Sequence, residues 1–263
     1  MDALTCLGRN IYRQVVPFED IFTTVFWIRT QEGVVLFDTA TYPEDIDRYL
    51  EPAREELGIT EAELRYVVIS HGHRDHAGGL ERFLQLHPDV TVICGSEKMA
   101  EKFETAQVMV PKDGDCFAEV LQIVTIPGHT ATCIGVLDQR SGTLLTGDGL
   151  QLYGIYGSGN WGANISYPTA HLEALKKLRE MEVQEIVASH EYHPCGYRAE
   201  GKEEVERYLE QCKAALYAVR DAICENSTLT DEELALHYNQ TSKLPTMGKH
   251  VFSAVRKEWL QEK

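Results

Sequence analysis

Three imidazoles and a carboxylate fall within the six residues His71-Gly72-His73-Arg74-Asp75-His76, directly after a predicted strand. A chain leaving a strand can turn back on itself there and aim several side chains at one point. Imidazole nitrogen and carboxylate oxygen are donors suited to zinc and neighbouring divalent ions. Four such groups so close together favour a metal-binding loop over an ordinary solvated one. The small residues Ala77-Gly78-Gly79 let a helix begin close behind the ligands. His87, His171, His237 and His250 have no such company and read as structural or exposed.

The run His71-x-His73-x-Asp75-His76-Ala77-Gly78-Gly79 resembles the signature of the metallo-β-lactamase superfamily, and later positions match it in order. Asp38 stands in Leu36-Phe37-Asp38-Thr39, where the family usually has Asp-Thr-Gly and this chain has Ala40. His129 lies in Pro127-Gly128-His129-Thr130 and Asp148 in Thr146-Gly147-Asp148. His190 follows the predicted strand with Ser-His where the family commonly carries Gly-His, and the resemblance covers roughly residues 20 to 195. It implies one ion on His71, His73 and His129 and a second on Asp75, His76 and His190, with Asp148 bridging. His193, three residues beyond His190, is the alternative last ligand or a pocket residue. Asp38 would orient a metal-bound histidine or the ligand loop from behind. The implied cofactors are two divalent ions, Zn2+ foremost, with Fe or Mn as alternatives. Their charge outweighs that of Asp75, Asp148 and a bridging hydroxide, which leaves a positive site that acidifies bound water and stabilises an oxyanion. The implied reaction is attack of metal-bound hydroxide on a small ester, thioester or lactone, with Asp75 and Asp148 as the catalytic carboxylates.

Departures within the superfamily narrow this. Branches that open β-lactams carry a cysteine at the position of Asp148 or lack the bridging aspartate, so β-lactam hydrolysis is a minor alternative. The aspartate is similar to glyoxalase II, lactonase and general esterase members, although no basic glutathione-binding residues can be matched in the C-terminal part. Persulfide dioxygenases of the same fold use a single iron on the equivalents of His71, His129 and Asp148, and that alternative stays open. Filled ligand positions disfavour a non-catalytic scaffold. The stretch from Gln151 to Ser166 is rich in glycine and carries Tyr153, Tyr156 and Trp161. It reads either as an aromatic wall for substrate or as a loop whose aromatics fill core or an interface.

The elements that must position these groups read as α/β. Thr23–Ile28 and Val34–Phe37 form a hairpin running into Asp38, and a helix follows Pro43 to about Leu57. Tyr66–Ile69 and Val90–Cys94 are buried strands, with a helix from Gly78 to Leu86 between them and Ser96 capping another through Phe103. Val120–Ile126 alternates until Pro127-Gly128, and Ile134–Leu137 with Leu144–Leu145 flank a turn as a second hairpin. A helix over Thr169–Met181 and a strand over Glu185–Ala188 repeat the helix-then-strand step, again ending on Ser-His. With the resemblance, this implies a four-layer αββα sandwich of pseudo-twofold build over residues 1–200. Residues 201–263 are expected as a C-terminal helical extension packed on it. Val205, Tyr208, Leu209, Cys212, Leu216, Val219 and Ile223 repeat at helical spacing. Thr230-Asp231-Glu232-Glu233 is a capping box, and Val251, Phe252, Val255, Trp259 and Leu260 suit a last helix.

Composition excludes several classes of function. A formal charge of −16 with no local basic patch disfavours nucleic acid. Seven scattered cysteines without a C-x-x-C pair argue against a disulfide framework or thiolate zinc knuckle. No apolar run approaches the ~20 residues that span a bilayer, and the first ten residues lack the apolar core of a signal peptide. The expectations are a cytoplasmic enzyme, a small-molecule substrate, no membrane and no nucleic acid, with a homodimer left open.

Overall fold

The computed structural model describes residues 4–8, 10–101, 107–158, 161–242 and 246–260. Its strands fall in two sheets, and the chain divides into two compact units. The first holds the residues up to Thr125 with Ile134–Ser141, and the second holds Ile126–Cys133 with everything from Gly142 onward.

In the first unit, β1 (Leu4–Gly8), β2 (Ile11–Phe18), β3 (Ile21–Arg29) and β4 (Val34–Phe37) run antiparallel in sequence order. The expected hairpin is β3–β4, in the register Phe26↔Phe37 and Trp27↔Leu36. Strand β2 gives little signal in the sequence because Arg13, Gln14 and Pro17 interrupt its apolar pattern. Arg13 and Gln14 are nonetheless buried, and Gln14 accepts the Trp27 indole N–H at 2.9 Å.

After Asp38 the chain makes a continuous helical stretch: α1 (Pro43–Asp45), a π-helical turn (Ile46–Leu50) and α2 (Glu51–Glu56). It then enters β5 (Leu64–Ile69), parallel to β4. Helix α3 (Arg74–Ala77) and helix α4 (Leu80–Leu86) return it to β6 (Thr91–Cys94), and α5 (Glu97–Ala100) precedes β7 (Gln107–Met109), all in parallel pairing. Ser96 does cap α5, accepting Met99 N–H at 3.3 Å, while the end expected at Phe103 lies outside the described residues.

Parallel strands covered by crossover helices need apolar side chains along most of their length, which is why Tyr66–Ile69 of β5 reads as an unbroken apolar run. Leu36, Ile46, Leu50, Val67, Ile69, Leu80, Phe83 and Val92 close one core cluster around it. The unit also holds β8 (Cys116–Phe117), β9 (Leu121–Thr125) and β10 (Ile134–Asp138), which pair antiparallel in that order.

In the second unit β11 (Thr143–Leu145), α6 (Pro168–Glu180) and β12 (Glu185–Tyr192) form a parallel β-α-β step, and β13 (Gly196–Glu200) returns antiparallel. Strand β12 differs from the sequence reading. It does not end at Ala188 but continues through Ser189-His190 to Tyr192, past an irregularity in its register with β13. The extension is held by Ser189 N–H to Gly147 O, by Tyr156 N–H to Glu191 O and by Tyr192 opposite both Ile155 and Gly196, and the residues GYRAE of β13 carry no strand signal of their own.

Helix α7 (Lys202–Glu225) lays its apolar stripe on β12, β13 and α6. Helix α8 (Asp231–Thr241) opens on the expected capping box of Thr230 and Glu233, and α9 (Lys249–Val255) runs on as a π-helical turn to Leu260. Val251, Phe252 and Val255 are buried as expected, whereas Leu260 is exposed. Among the described residues no helix is long and apolar enough to cross a membrane.

Candidate metal centre

The first unit carries His71, His73, Asp75 and His76 at the carboxyl end of β5. The ligand run is partly helical: His73 stands at the N-cap, and α3 winds Asp75 and His76 inward. Helix α4 therefore starts at Leu80 rather than at Gly78. The loop after β4 is laced against this turn, with Thr39 N–H donating to His76 O at 2.7 Å and Gly78 N–H to Ala40 O at 3.1 Å. The approach is close enough to dictate glycine. A Cβ at Gly78 would lie 1.9 Å from the Thr41 carbonyl oxygen, and one at Gly79 2.2 Å from that of Thr39.

Asp38 is fully buried in a left-handed conformation, φ 65°, and Ala40, where the family's glycine usually stands, is also left-handed at φ 58°. The Asp38 carboxylate accepts Ser70 N–H at 2.7 Å, the Ser70 hydroxyl at 2.8 Å and His76 Nδ1–H at 2.7 Å. Burial pushes this carboxyl above its ordinary range, opposed by His76 and Ser70. Because the Ser70 proton is given to Asp38, the contact of its Oγ with His71 Nδ1 at 3.1 Å is one in which the imidazole donates. His71 and His76 thus hold their protons on Nδ1 and keep Nε2 for an ion.

The second unit carries His129, Asp148 and His190. His129 donates from Nδ1 to the Asn164 carbonyl at 2.6 Å, so it too presents Nε2. Asp148 divides its oxygens: Oδ2 lies 3.6 Å from His129 Nε2, and Oδ1 lies 3.4 Å from His190 Nε2. In the first unit Asp75 Oδ2 lies 3.4 Å from His76 Nε2. Two ligands at ~2.1 Å from one ion in tetrahedral geometry stand roughly 3.4 Å apart. These pairs have the spacing of ligands sharing an ion and are longer than a charge-assisted hydrogen bond of about 2.7–2.9 Å. The donor set therefore fits divalent metal.

Sequence reasoning missed two partners of Asp148. The Tyr192 hydroxyl donates to Oδ1 at 3.0 Å, and Gln151 Nε2 donates to Oδ2 at 3.2 Å. Tyr192 could have been found from the period of a strand, since it lies two residues after His190 on the same face. Gln151 carried no signal. His193, by contrast, points elsewhere: it is partly exposed and stacks on Tyr156, ring centroids 3.4 Å apart. Burial lowers its pKa. Of the aromatic stretch, Tyr153 is buried, Tyr156 exposed and Trp161 in between. Gly159 and Asn160 of that stretch lie outside the described residues.

The remaining histidines separate by surroundings. His87 is buried and paired with Glu51 at 2.8 Å and Glu61 at 2.7 Å. His171 is fully buried beside Gly128, and burial lowers its pKa to about 4.

The chain is 30% identical over 149 residues to hydroxyacylglutathione hydrolase of Nostoc sp., a match covering 54% of this chain and 56% of that protein. It is 28% identical over 145 residues to the enzyme of the same name from Vibrio campbellii, covering 54% and 53%. The chain thus spans little more than half the length of these curated relatives. Its structure superposes on a metallo-beta-lactamase family protein from Thermus thermophilus with a TM-score of 0.70 at 20% identity, covering 96% of this chain and 95% of the other, which shows the shared fold. The sequence profile of the metallo-beta-lactamase superfamily matches residues 19–190, and the chain belongs to that superfamily.

Proposed function

We propose that this chain is a metal-dependent hydrolase that uses two divalent ions, zinc first among them, to cleave a small thioester, ester or lactone. His71, His73 and His129 would hold one ion, and Asp75, His76 and His190 the other, with Asp148 shared. The observation that carries the reading is the division of Asp148, one oxygen spaced for His129 and the other for His190. A one-iron centre on His71, His129 and Asp148 would leave His76, His190 and the buried Asp38 buttress without work. Residues 1–200 form the catalytic portion in this reading, and 201–263 its helical extension.

When bound, the ions supply an acidified water nucleophile and positive charge for the carbonyl oxygen. The chain supplies the rest. Asp38 and Ser70 keep protons on His76 and His71 at Nδ1, and the Asn164 carbonyl does the same for His129. Tyr192 and Gln151 fix the rotamer of Asp148 by donating to both of its oxygens. Asp75 is assigned to take the proton of the attacking water.

The relatives named as hydroxyacylglutathione hydrolases make a glutathione thioester the first substrate to try. Tyr156, Trp161 and His193 are the residues assigned to the substrate side, while Tyr153 belongs to packing. Zinc-loaded full-length protein assayed against hydroxyacylglutathione, simple aryl esters and lactones tests this. Cleavage of a thioester or ester that stops on chelation is expected; two bound ions with no hydrolysis of any of the three classes would sink it.

A further inference from the structure

We infer that Gln151 is a positioning residue of the metal centre, one amide tying the carboxylate of Asp148 to the backbone that holds His129. This deepens the two-metal reading and rests on it. The Gln151 side chain is buried, and its Oε1 accepts the Asn164 N–H. Its Nε2 donates to Asp148 Oδ2 at 3.2 Å and lies 3.1 Å from His129 Nδ1. Asn164 in turn takes the His129 Nδ1 proton on its carbonyl, 2.6 Å away. The orientation of the amide is forced: a backbone N–H must meet its oxygen, so its NH2 group must face Asp148. His129 Nδ1 already carries a hydrogen, which leaves Asp148 as the acceptor. A neutral side chain thereby links two ligands through one residue of backbone.

The anchor for this link is itself clamped. Ala163, next to Asn164, exchanges hydrogen bonds with the segment before α9, its N–H to Thr246 O at 3.2 Å and Gly248 N–H to its O at 3.2 Å. A Cβ on Gly162 would meet the Thr246 carbonyl oxygen at 2.8 Å, so the glycine permits the close passage. The Gln151 hydrogen bond is to Oδ2, the oxygen on the His129 side, whereas Tyr192 donates to Oδ1. The effect of Gln151 is therefore selective for the ion bound by His129.

The test compares full-length wild type with Gln151→Met, which removes both hydrogen bonds, and Gln151→Glu, which keeps an acceptor for Asn164 N–H but loses the donor to Asp148. Zinc affinity at each site is read by competition with a chromogenic chelator, and geometry by the visible absorption of the Co(II) form. Both variants should weaken one ion by roughly 10–100-fold and change the cobalt spectrum of that site. The other ion should stay within about threefold. Equal weakening of both ions, unchanged affinities in folded variants, or failure of both variants to fold would overturn the inference and make Gln151 a structural residue. A wild type that binds no ion would instead overturn the two-metal reading beneath it.

Discussion

Asp38→Asn is the perturbation whose consequence follows most closely from the geometry. The carboxylate accepts three protons, from Ser70 N, Ser70 Oγ and His76 Nδ1, all within 2.8 Å. Asparagine can keep its oxygen toward Ser70 N–H, but its NH2 then stands where Oδ2 was, 2.7 Å from His76 Nδ1. Two N–H donors cannot share that distance. His76 relieves the conflict by moving its proton to Nε2, which removes the lone pair that would bind metal. Loss of such a buttress weakens metal binding by roughly 10–100-fold, about 1.4–2.8 kcal/mol at 1.4 kcal/mol per tenfold. The loss should fall first on the ion held by Asp75, His76 and His190, and it extends more weakly to His71, because Ser70 Oγ also loses Oδ2 as the acceptor of its proton. Competition titration with a chelator, with metal counted per chain by mass spectrometry, reads both affinities. An Asp38→Asn protein that keeps both ions at wild-type affinity would refute the tautomer argument.

Tyr192→Phe removes one donor to the Asp148 carboxylate and, as loss of a group that orients a metal ligand, should lower kcat/KM by roughly 10–100-fold in a protein that still folds. An unchanged kcat/KM would show that Asp148 needs no help on Oδ1. His190→Ala should lower the metal count, whereas His193→Ala should keep it and alter mainly KM; the reverse pattern, read by metal analysis, would move the ligand to His193. For His87, burial lowers the pKa but hydrogen bonds to Glu51 and Glu61 outweigh it, so the net direction is up. A raised folded-state pKa means stabilisation fully present below the unfolded value of about 6.5 and lost as pH rises through the folded value. Chemical denaturation of wild type and His87→Gln should therefore differ by about 1.5–3 kcal/mol at mildly acid pH and converge at alkaline pH. A difference that grows with pH would contradict the charged pair.

The metal loop and the elements delivering it were legible in the sequence because each obeys a local rule. The run His71 to Gly79 concentrates donors and small residues, β5 is a short apolar run, and the stripe of α7 has helical period. What escaped depended on partners distant in sequence. Strand β2 hides behind Arg13 and Gln14, whose burial makes sense only beside neighbours such as Trp27. Strand β12 was read short of Tyr192 because its pairing with β13 is irregular and its end is held by Gly147, Ile155 and Tyr156, more than thirty residues earlier. Gln151 and Asn164 are ordinary loop residues until folding sets them against Asp148 and His129. The sequence shows that loop only as rich in glycine, whereas Gly154 and Gly162 are needed because the 246–248 segment passes against them. Type and spacing exposed the ligands, while the groups that orient them were visible only in three dimensions.

The most direct test of the two-metal account is the metal content of chelator-free full-length protein, wild type and Asp148→Ala, measured beside thioester hydrolysis. The account predicts close to two ions per wild-type chain and cleavage by metal-loaded protein, with both ions weakened and turnover abolished in a folded Asp148→Ala variant. One iron per chain with oxygen uptake on a persulfide, or two ions and full turnover in Asp148→Ala, would contradict it.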